Sequence, residues 1–282
     1  MSYVLKLVST PKVLIDARSI SPNKFAGKSL DEIRKLRILE GGAEATLDTL
    51  FSVDGPSKAS QDPNSIEIII ENSSNKLCFI GYKMSGGKIV VKGDVGHFTG
   101  YKMSNGSIIV HGSARNYLGC KMRGGSIEVF GDVGHRAGGK LHGEKSGKGM
   151  RGGTIVIHGN AGSYLGWGAG GGAIIVDGNA KNFVGADITS GTIVVKGSAG
   201  IYPGFGMSGG RVVVGGRVEA MSPSFYIDSI VPSLKVRGIS FNKPFATFIG
   251  DVLSSGRGVL QISYEDNKNI IDVYKQFLEE SI

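Results

Sequence analysis

From residue 81 onward the apolar positions recur with two periods at once. Within short stretches apolar and polar residues alternate, in "KIVVK", "SIIVH", "SIEVF", "TIVIH", "AIIVD", "TIVVK" and "RVVVG". β-Branched runs of this length and pattern predict strands. Between stretches the pattern returns every nineteen residues, with glycines in fixed places. The first glycine of the unit falls at Gly81, Gly100, Gly119, Gly138, Gly166, Gly185 and Gly204; the second at Gly87, Gly106, Gly125, Gly153, Gly172, Gly191 and Gly210. The third falls at Gly93, Gly112, Gly131, Gly159, Gly178, Gly197 and Gly216. One interval departs, twenty-eight residues from Gly138 to Gly166, which is nineteen plus nine. A unit this short cannot hold a helix pair but suffices for one coil of a solenoid. The prediction is an all-β chain, a right-handed parallel β-helix of seven glycine-rich coils.

Stacking coils at the ~4.8 Å strand spacing turns each column of the repeat into a ladder. Two inward ladders are expected, Ile89, Ile108, Ile127, Ile155, Ile174, Ile193 and Val212, and Val91, Val110, Val129, Ile157, Val176, Val195 and Val214. Opposite them the pattern places Met84, Met103, Met122, Met150 and Met207, interrupted by Ala169 and Ile188, as packing rather than a cofactor contact. A small column, Val95, Ala114, Val133, Ala161, Ala180, Ala199 and Val218, should mark another corner. Phe98, Tyr117, Tyr164, Phe183 and Tyr202, broken by Arg136, read as a packed corner stack. Alternation puts Val90, Ile109, Glu128, Val156, Ile175, Val194 and Val213 on the outer face. So long an apolar wall calls for a cover, either the chain's own terminal segments or a partner subunit. In the second case Ile109, Val156, Ile175, Val194 and Val213 form the interface.

Charge adds a candidate site. The formal net charge is +8, which favours anionic partners and says nothing about fold. Lys83, Lys102, Lys121 and Lys140 share a column, so their ammonium groups should stand one coil apart and repel. Such a ladder serves as a solvated edge that discourages aggregation, or as a track for a flexible polyanion. The nine extra residues fall in "GGKLHGEKSGKGMRGG", which adds Lys145, Lys148 and Arg151 to the candidate anion-binding set.

Other chemistry is excluded or weakened. His97 and His135 share a column two coils apart, as do His111 and His158 around Phe130, too far to share a metal. Cys78 and Cys120 show no C-x-x-C spacing and read as reduced, packed thiols, so no metal site is expected. "GMSGG" matches G-x-S-x-G at Ser208, yet it runs toward a strand rather than a helix and no histidine follows His158. "GFGMSG" and "GWGAGG" spell G-x-G-x-x-G but open no helix. Basic residues are not interleaved with a stacking platform, which argues against nucleic acid. No signal peptide and no apolar run of eighteen is present, so the expected location is cytoplasmic.

The repeat divides the chain into an N-terminal capping segment, 1–64, the glycine-rich solenoid, 65–218, and a C-terminal cap, 219–282. In the last segment Ile270, Ile271, Tyr274, Phe277 and Leu278 share one helical face. The repeat resembles a domain common to the C-terminal part of the glutamate synthase large subunit and the C subunit of formylmethanofuran dehydrogenase. The flanks favour the second. "ISPNKFAGKSLDEIRKLRILEGGAEATLDTLFSVDG" is similar to the N-terminal segment of that subunit, and "GGRVEAMSPSFYIDSIV" with "FATFIGDVLSSGRGVLQIS" to its C-terminal segment. The resemblance spans about residues 3–264 and includes the insertion before "GMRGG".

The resemblance implies a structural, non-catalytic subunit of a complex that handles a one-carbon unit on methanofuran. That complex works by reductive CO2 fixation at a tungsten or molybdenum pterin or, in its methylotroph relative, by formyl transfer and hydrolysis. It places the pterin, the methanofuran site and all catalytic residues in partner subunits. It also gives the lysine column a ligand, the glutamate-bearing tail of a methanofuran-type carrier, although that column is often acidic or aromatic in the family. Two other functions stay open, a stand-alone glutamate-synthase-type structural domain and an esterase using Ser208.

Overall fold

The computed structural model describes residues 1–279, with side chains of the last helix described to Tyr274. The chain is mostly β and is dominated by one thirteen-stranded, largely parallel sheet that does not close into a barrel. Seven of its strands are the predicted runs: Ser85–Gly93, Asn105–Val110, Arg123–Val129, Arg151–Ile157, Gly170–Val176, Ser190–Val195 and Arg211–Val214. They lie side by side in chain order, each parallel to the next. Ile89 sits opposite Ile108, which sits opposite Ile127, and the row continues through Ile155, Ile174 and Ile193 to Val212. The repeat length is therefore the register. A second file of parallel bridges joins Val95, Ala114, Val133, Ala161, Ala180 and Ala199.

The flanking segments extend this sheet. Glu67–Ser73 and Ser2–Leu7 add parallel strands before Ser85–Gly93, and Phe51–Asp54 ends that side antiparallel. On the other side Gly258–Ser263 adds a parallel strand, followed by the antiparallel Phe245–Gly250 and Tyr226–Val231. The final helix, Lys268–Glu279, buries Ile271 and sets Tyr274 edge-on to Phe248 at 5.3 Å. The side chains of Phe277 and Leu278 lie outside the described residues.

Both isoleucine-valine ladders and the methionine column are buried as expected, the methionines completely. The glycines act in two ways. Gly119 has a φ of +59°, and a Cβ there would stand 2.5 Å from Ile155 Cδ1. Gly112 has no left-handed φ, yet a Cβ would meet the Gly93 carbonyl carbon at 2.6 Å. One glycine supplies a turn, the other a close approach between coils.

Two further corner devices escape the hydrophobic pattern. Every member of the aromatic column is left-handed: Phe79, Phe98, Tyr117, Arg136, Tyr164, Phe183 and Tyr202 have φ between 55° and 65°. Side chains other than glycine resist that conformation. Each corner is held by its N–H donating to the following coil, as Phe98 does to Asn116 O at 3.0 Å, and by stacking. Phe79 and Phe98 stack at 4.9 Å, Phe98 and Tyr117 at 4.7 Å, and Tyr164 and Phe183 at 4.9 Å. Arg136 fills the gap with its guanidinium 5.5 Å from the Tyr117 ring and 5.6 Å from Tyr164. The second device is a polar ladder. Asp94 accepts from Ser113 N, Ser113 from Asp132 N, Asp132 from Asn160 N, Asn160 from Asn179 N, Asn179 from Ser198 N, and Ser198 from Arg217 N.

The outer wall corrects an expectation. Val194 and Val213 are 0% exposed and pack with Leu234, Val236 and Phe245. Leu234–Val236 and Ile239–Phe241 form an antiparallel hairpin that folds back over this end of the wall. These two valines are thus withdrawn from the expected partner interface, because the chain covers them itself. Val90, Ile109, Val156 and Ile175 remain half-buried.

Candidate functional site

The insertion coil forms a basic hollow of about 150 Å³ lined by Lys102, Lys121, Arg123, Lys148 and Arg151. Lys102 and Lys121 occupy left-handed corners one coil apart, each with a φ of 59°. Arg123 and Arg151 open successive strands, and their N–H groups donate to Met103 O and Met122 O, which fixes them as neighbouring rungs. Lys148 arrives on the inserted loop. That loop is pinched off at its base by Met150 N donating to Gly138 O at 2.8 Å, the bond that Met122 N makes to Gly119 O in the preceding coil.

One carboxylate pairs with a lining residue. Glu144 pairs with Lys121, and its other oxygen accepts from Leu141 N at 3.0 Å, closing the loop on itself. Partial burial pushes the Glu144 carboxyl up, but Lys121 and the Leu141 N–H outweigh it and hold it below the usual carboxylate range. All five lining side chains are cationic, and of these Lys121 alone is given an ion-pair partner among the described residues. Packed this closely, like charges repel unless an anion joins them. Arginine and lysine donors converging from different coils suit carboxylates or phosphates.

Of the residues expected to bind an anion, Lys102, Lys121, Lys148 and Arg151 converge here. Lys83 is exposed, with its ammonium 5.3 Å from the Tyr82 ring, and it does not line the hollow. Lys145 is exposed on the loop and also lies outside the lining. Lys140 is turned inward. It is 6% exposed, pairs with Asp187 at 2.9 Å and lies 4.7 Å from the Trp167 ring. Its path crosses Gly168, where a Cβ would stand 2.5 Å from Lys140 Cδ. The missing side chain in the next coil therefore lets Lys140 reach a carboxylate and leave the ladder. Arg123 belongs to the site but not to the sequence reading. Its column reads Ser85, Ser104, Arg123, Arg151, Gly170, Thr189 and Ser208, so basic character appears on two rungs alone.

Ser208 is exposed, and its N–H donates to Ile188 O at 3.0 Å, a coil-to-coil bond like that of Ser104 N to Met84 O. The chain then enters the strand Arg211–Val214, not a helix. His158 sits between carboxylates, Nδ1 2.7 Å from Asp177 and Nε2 2.9 Å from Glu128, with its ring 4.7 Å from Phe130. Among the described residues no helix is long and apolar enough to cross a membrane.

No family model matches the chain. The C subunit of the tungsten-containing formylmethanofuran dehydrogenase 2 of Methanothermobacter wolfeii is 36% identical over 89 residues, 32% of each chain. The C subunit of the molybdenum-containing formylmethanofuran dehydrogenase 1 of Methanothermobacter thermautotrophicus is 34% identical over 97 residues, 34% of this chain and 23% of that one. The matched stretch thus spans a third or less of the length of these curated relatives. In three dimensions the similarity is broader. A chain of the formyltransferase/hydrolase complex FhcABCD of Methylorubrum extorquens, solved in complex with methylofuran, superimposes with a TM-score of 0.80 and 29% identity, over 92% of this chain and 99% of that one. By sequence over a third of its length and by fold over nearly all of it, the chain is similar to the C subunits of formylmethanofuran dehydrogenases and to a chain of the formyltransferase/hydrolase complex.

Proposed function

We propose that this chain is a cytoplasmic, non-catalytic scaffold subunit of a one-carbon complex of the formylmethanofuran dehydrogenase or formyltransferase/hydrolase kind. It is built as a right-handed parallel β-helix, and its basic hollow guides the glutamate-bearing tail of a furan carrier. The observation that carries this reading is the fold match over almost the whole chain to part of a complex solved with methylofuran. Two parallel files of coil-to-coil pairing support the β-helix. The tungsten or molybdenum pterin is assigned to partner subunits. The two cysteines of this chain, the soft donors that such a metal takes, are both buried in the repeat. The Cys120 thiol, moreover, is buried and pushed up to about 12.

Two experiments test this. Co-purification with mass spectrometry should recover pterin-binding and amidohydrolase-like subunits, and recovery of the chain alone would remove the scaffold role. A fluorescent oligoglutamate should bind the wild type weakly, lose affinity as salt shortens the screening length to about 8 Å, and fail to bind Arg123→Glu/Arg151→Glu. Equal binding by both proteins would leave the hollow without its ligand. The purified chain should hydrolyse esters no faster than Ser208→Ala, because Ser208 sits on a repeat corner and no histidine follows it in the sequence to activate the hydroxyl.

A further inference from the structure

The aromatic corner column is broken at one rung. Between the coils that carry Tyr117 and Tyr164 stands Arg136, on the same left-handed backbone with a φ of 62°. Its guanidinium lies 5.5 Å from the Tyr117 ring, 5.6 Å from Tyr164 and 5.0 Å from Trp167. Its Nη1 donates to the Tyr117 hydroxyl. Three rings shield the group from water and the hydroxyl fixes its orientation, so the fork is held ready before any ligand arrives. Among the described residues no carboxylate pairs with it. Asp187 accepts from Nε1 of the same Trp167 at 2.9 Å, but its carboxylate is held by Lys140 at 2.9 Å.

A hollow of about 320 Å³ opens at this rung, lined by Asn116, Tyr117, His135, Arg136, Ser163 and Tyr164. None of the six carries a carboxylate, and Arg136 supplies the fixed charge. Two acceptors of the lining are already engaged by backbone donors. Asn116 Oδ1 accepts from His135 N at 2.9 Å, and His135 Nδ1 accepts from Ser163 N at 3.0 Å. What these side chains retain is donors, the Asn116 amide N–H groups and, with Nδ1 accepting, the Nε2–H of His135. The Tyr117 hydroxyl accepts from Arg136 and keeps its own proton to donate. Donors around one cation make the hollow selective for an anion. Its volume lies at the small end of the roughly 300–1,000 Å³ that ligand pockets span, and the tyrosine rings give an apolar body something to rest on.

We propose that this hollow binds a small aromatic monocarboxylate. The carboxylate meets the guanidinium of Arg136, and the ring lies against the tyrosines. One positive charge balances a monoanion and leaves a dianionic phosphate half compensated, while the planar fork fits a planar carboxylate. No residue lines both this hollow and the basic one of the insertion coil, so the two sites are separate.

The test uses the full-length protein and 4-fluorobenzoate as probe, followed by fluorine NMR, with uncharged 4-fluorobenzyl alcohol and dianionic phenyl phosphate as comparisons. The expected result is saturable one-site binding of the acid, tighter than that of the alcohol by about tenfold or more, the size of a hydrogen bond to a charged group. Phenyl phosphate should bind no tighter than the acid. Arg136→Tyr restores the kind of ring that all the other coils carry here, so it should melt as the wild type does and lose the preference for the acid. Arg136→Gln should lose that preference too. Arg123→Glu/Arg151→Glu should bind the acid as the wild type does. Non-saturable binding, equal affinity for acid and alcohol, tighter binding of the phosphate, or an acid preference retained by both Arg136 variants would each overturn the proposal. Loss of binding in the Arg123/Arg151 variant would also overturn it, by placing the acid in the basic hollow, and would leave the carrier reading untouched.

Discussion

His158 brings a pH dependence into the repeat. A carboxylate that accepts on each side, Glu128 at one ring nitrogen and Asp177 at the other, favours the doubly protonated ring. The bonds to Glu128 and Asp177 raise its pKa above the usual histidine value, with partial desolvation working against them. A histidine whose pKa is raised by folding stabilises fully below its unfolded value of about 6.5 and loses that contribution as pH rises through the folded value. The gap in unfolding free energy between wild type and His158→Gln, measured by urea titration, should therefore be widest below about pH 6.5 and narrow on the alkaline side. A gap that is flat across this range would show that the ring acts by stacking on Phe130 alone.

The hairpin Leu234–Val236 and Ile239–Phe241 divides the outer wall into a covered end and an open remainder. A charge at Val194 would be trapped beneath it without a partner, at a cost of about 3–5 kcal/mol. Val194→Lys should accordingly melt well below the wild type as an isolated chain, while Ile175→Lys, on the half-buried neighbouring rung, should melt near it. A normal melt for Val194→Lys would mean that the hairpin lifts freely. A second test concerns the glycine corners: Gly119→Ala meets both a left-handed φ and the tip of Ile155, and should lose more than about 1 kcal/mol in urea titration.

The strands and the inward ladders were legible because burial imposes a period, and a period shows in one sequence. The covering hairpin was not, because Leu234 and Val236 belong to no repeat column. The Asp94-to-Ser198 ladder was hidden for another reason. Its side chains bond the backbone of the next coil, and Asp, Asn and Ser at those positions look like ordinary turn residues. At the candidate site the shared column exposed Lys102 and Lys121 but also included Lys140, whose exit depends on what Gly168 lacks. Lys148 and Arg151 were legible as a basic loop, and Arg123 was missed because a charge on two rungs leaves no periodic mark.

Across the whole molecule, pairing runs from each coil to its immediate neighbours, and both sides of the main sheet end in antiparallel strands. In the β-helix proposed above, stability is close to a sum of coil and neighbour terms. Removing residues 141–149 should therefore leave circular dichroism and melting temperature near those of the wild type. A collapse of the melt would show instead that the loop helps to hold its coil. The reason lies in the bond from Met150 N to Gly138 O, which seats Met150 where the other coils seat the residue three places after their first glycine. The core in effect counts Gly138 and Met150 as three apart and does not register what lies between. That makes the segment a splice port, at which a lineage can lengthen, shorten or rewrite the chain without renegotiating the packing, and at which an experimenter can graft a reporter or an affinity tag into the middle of the protein.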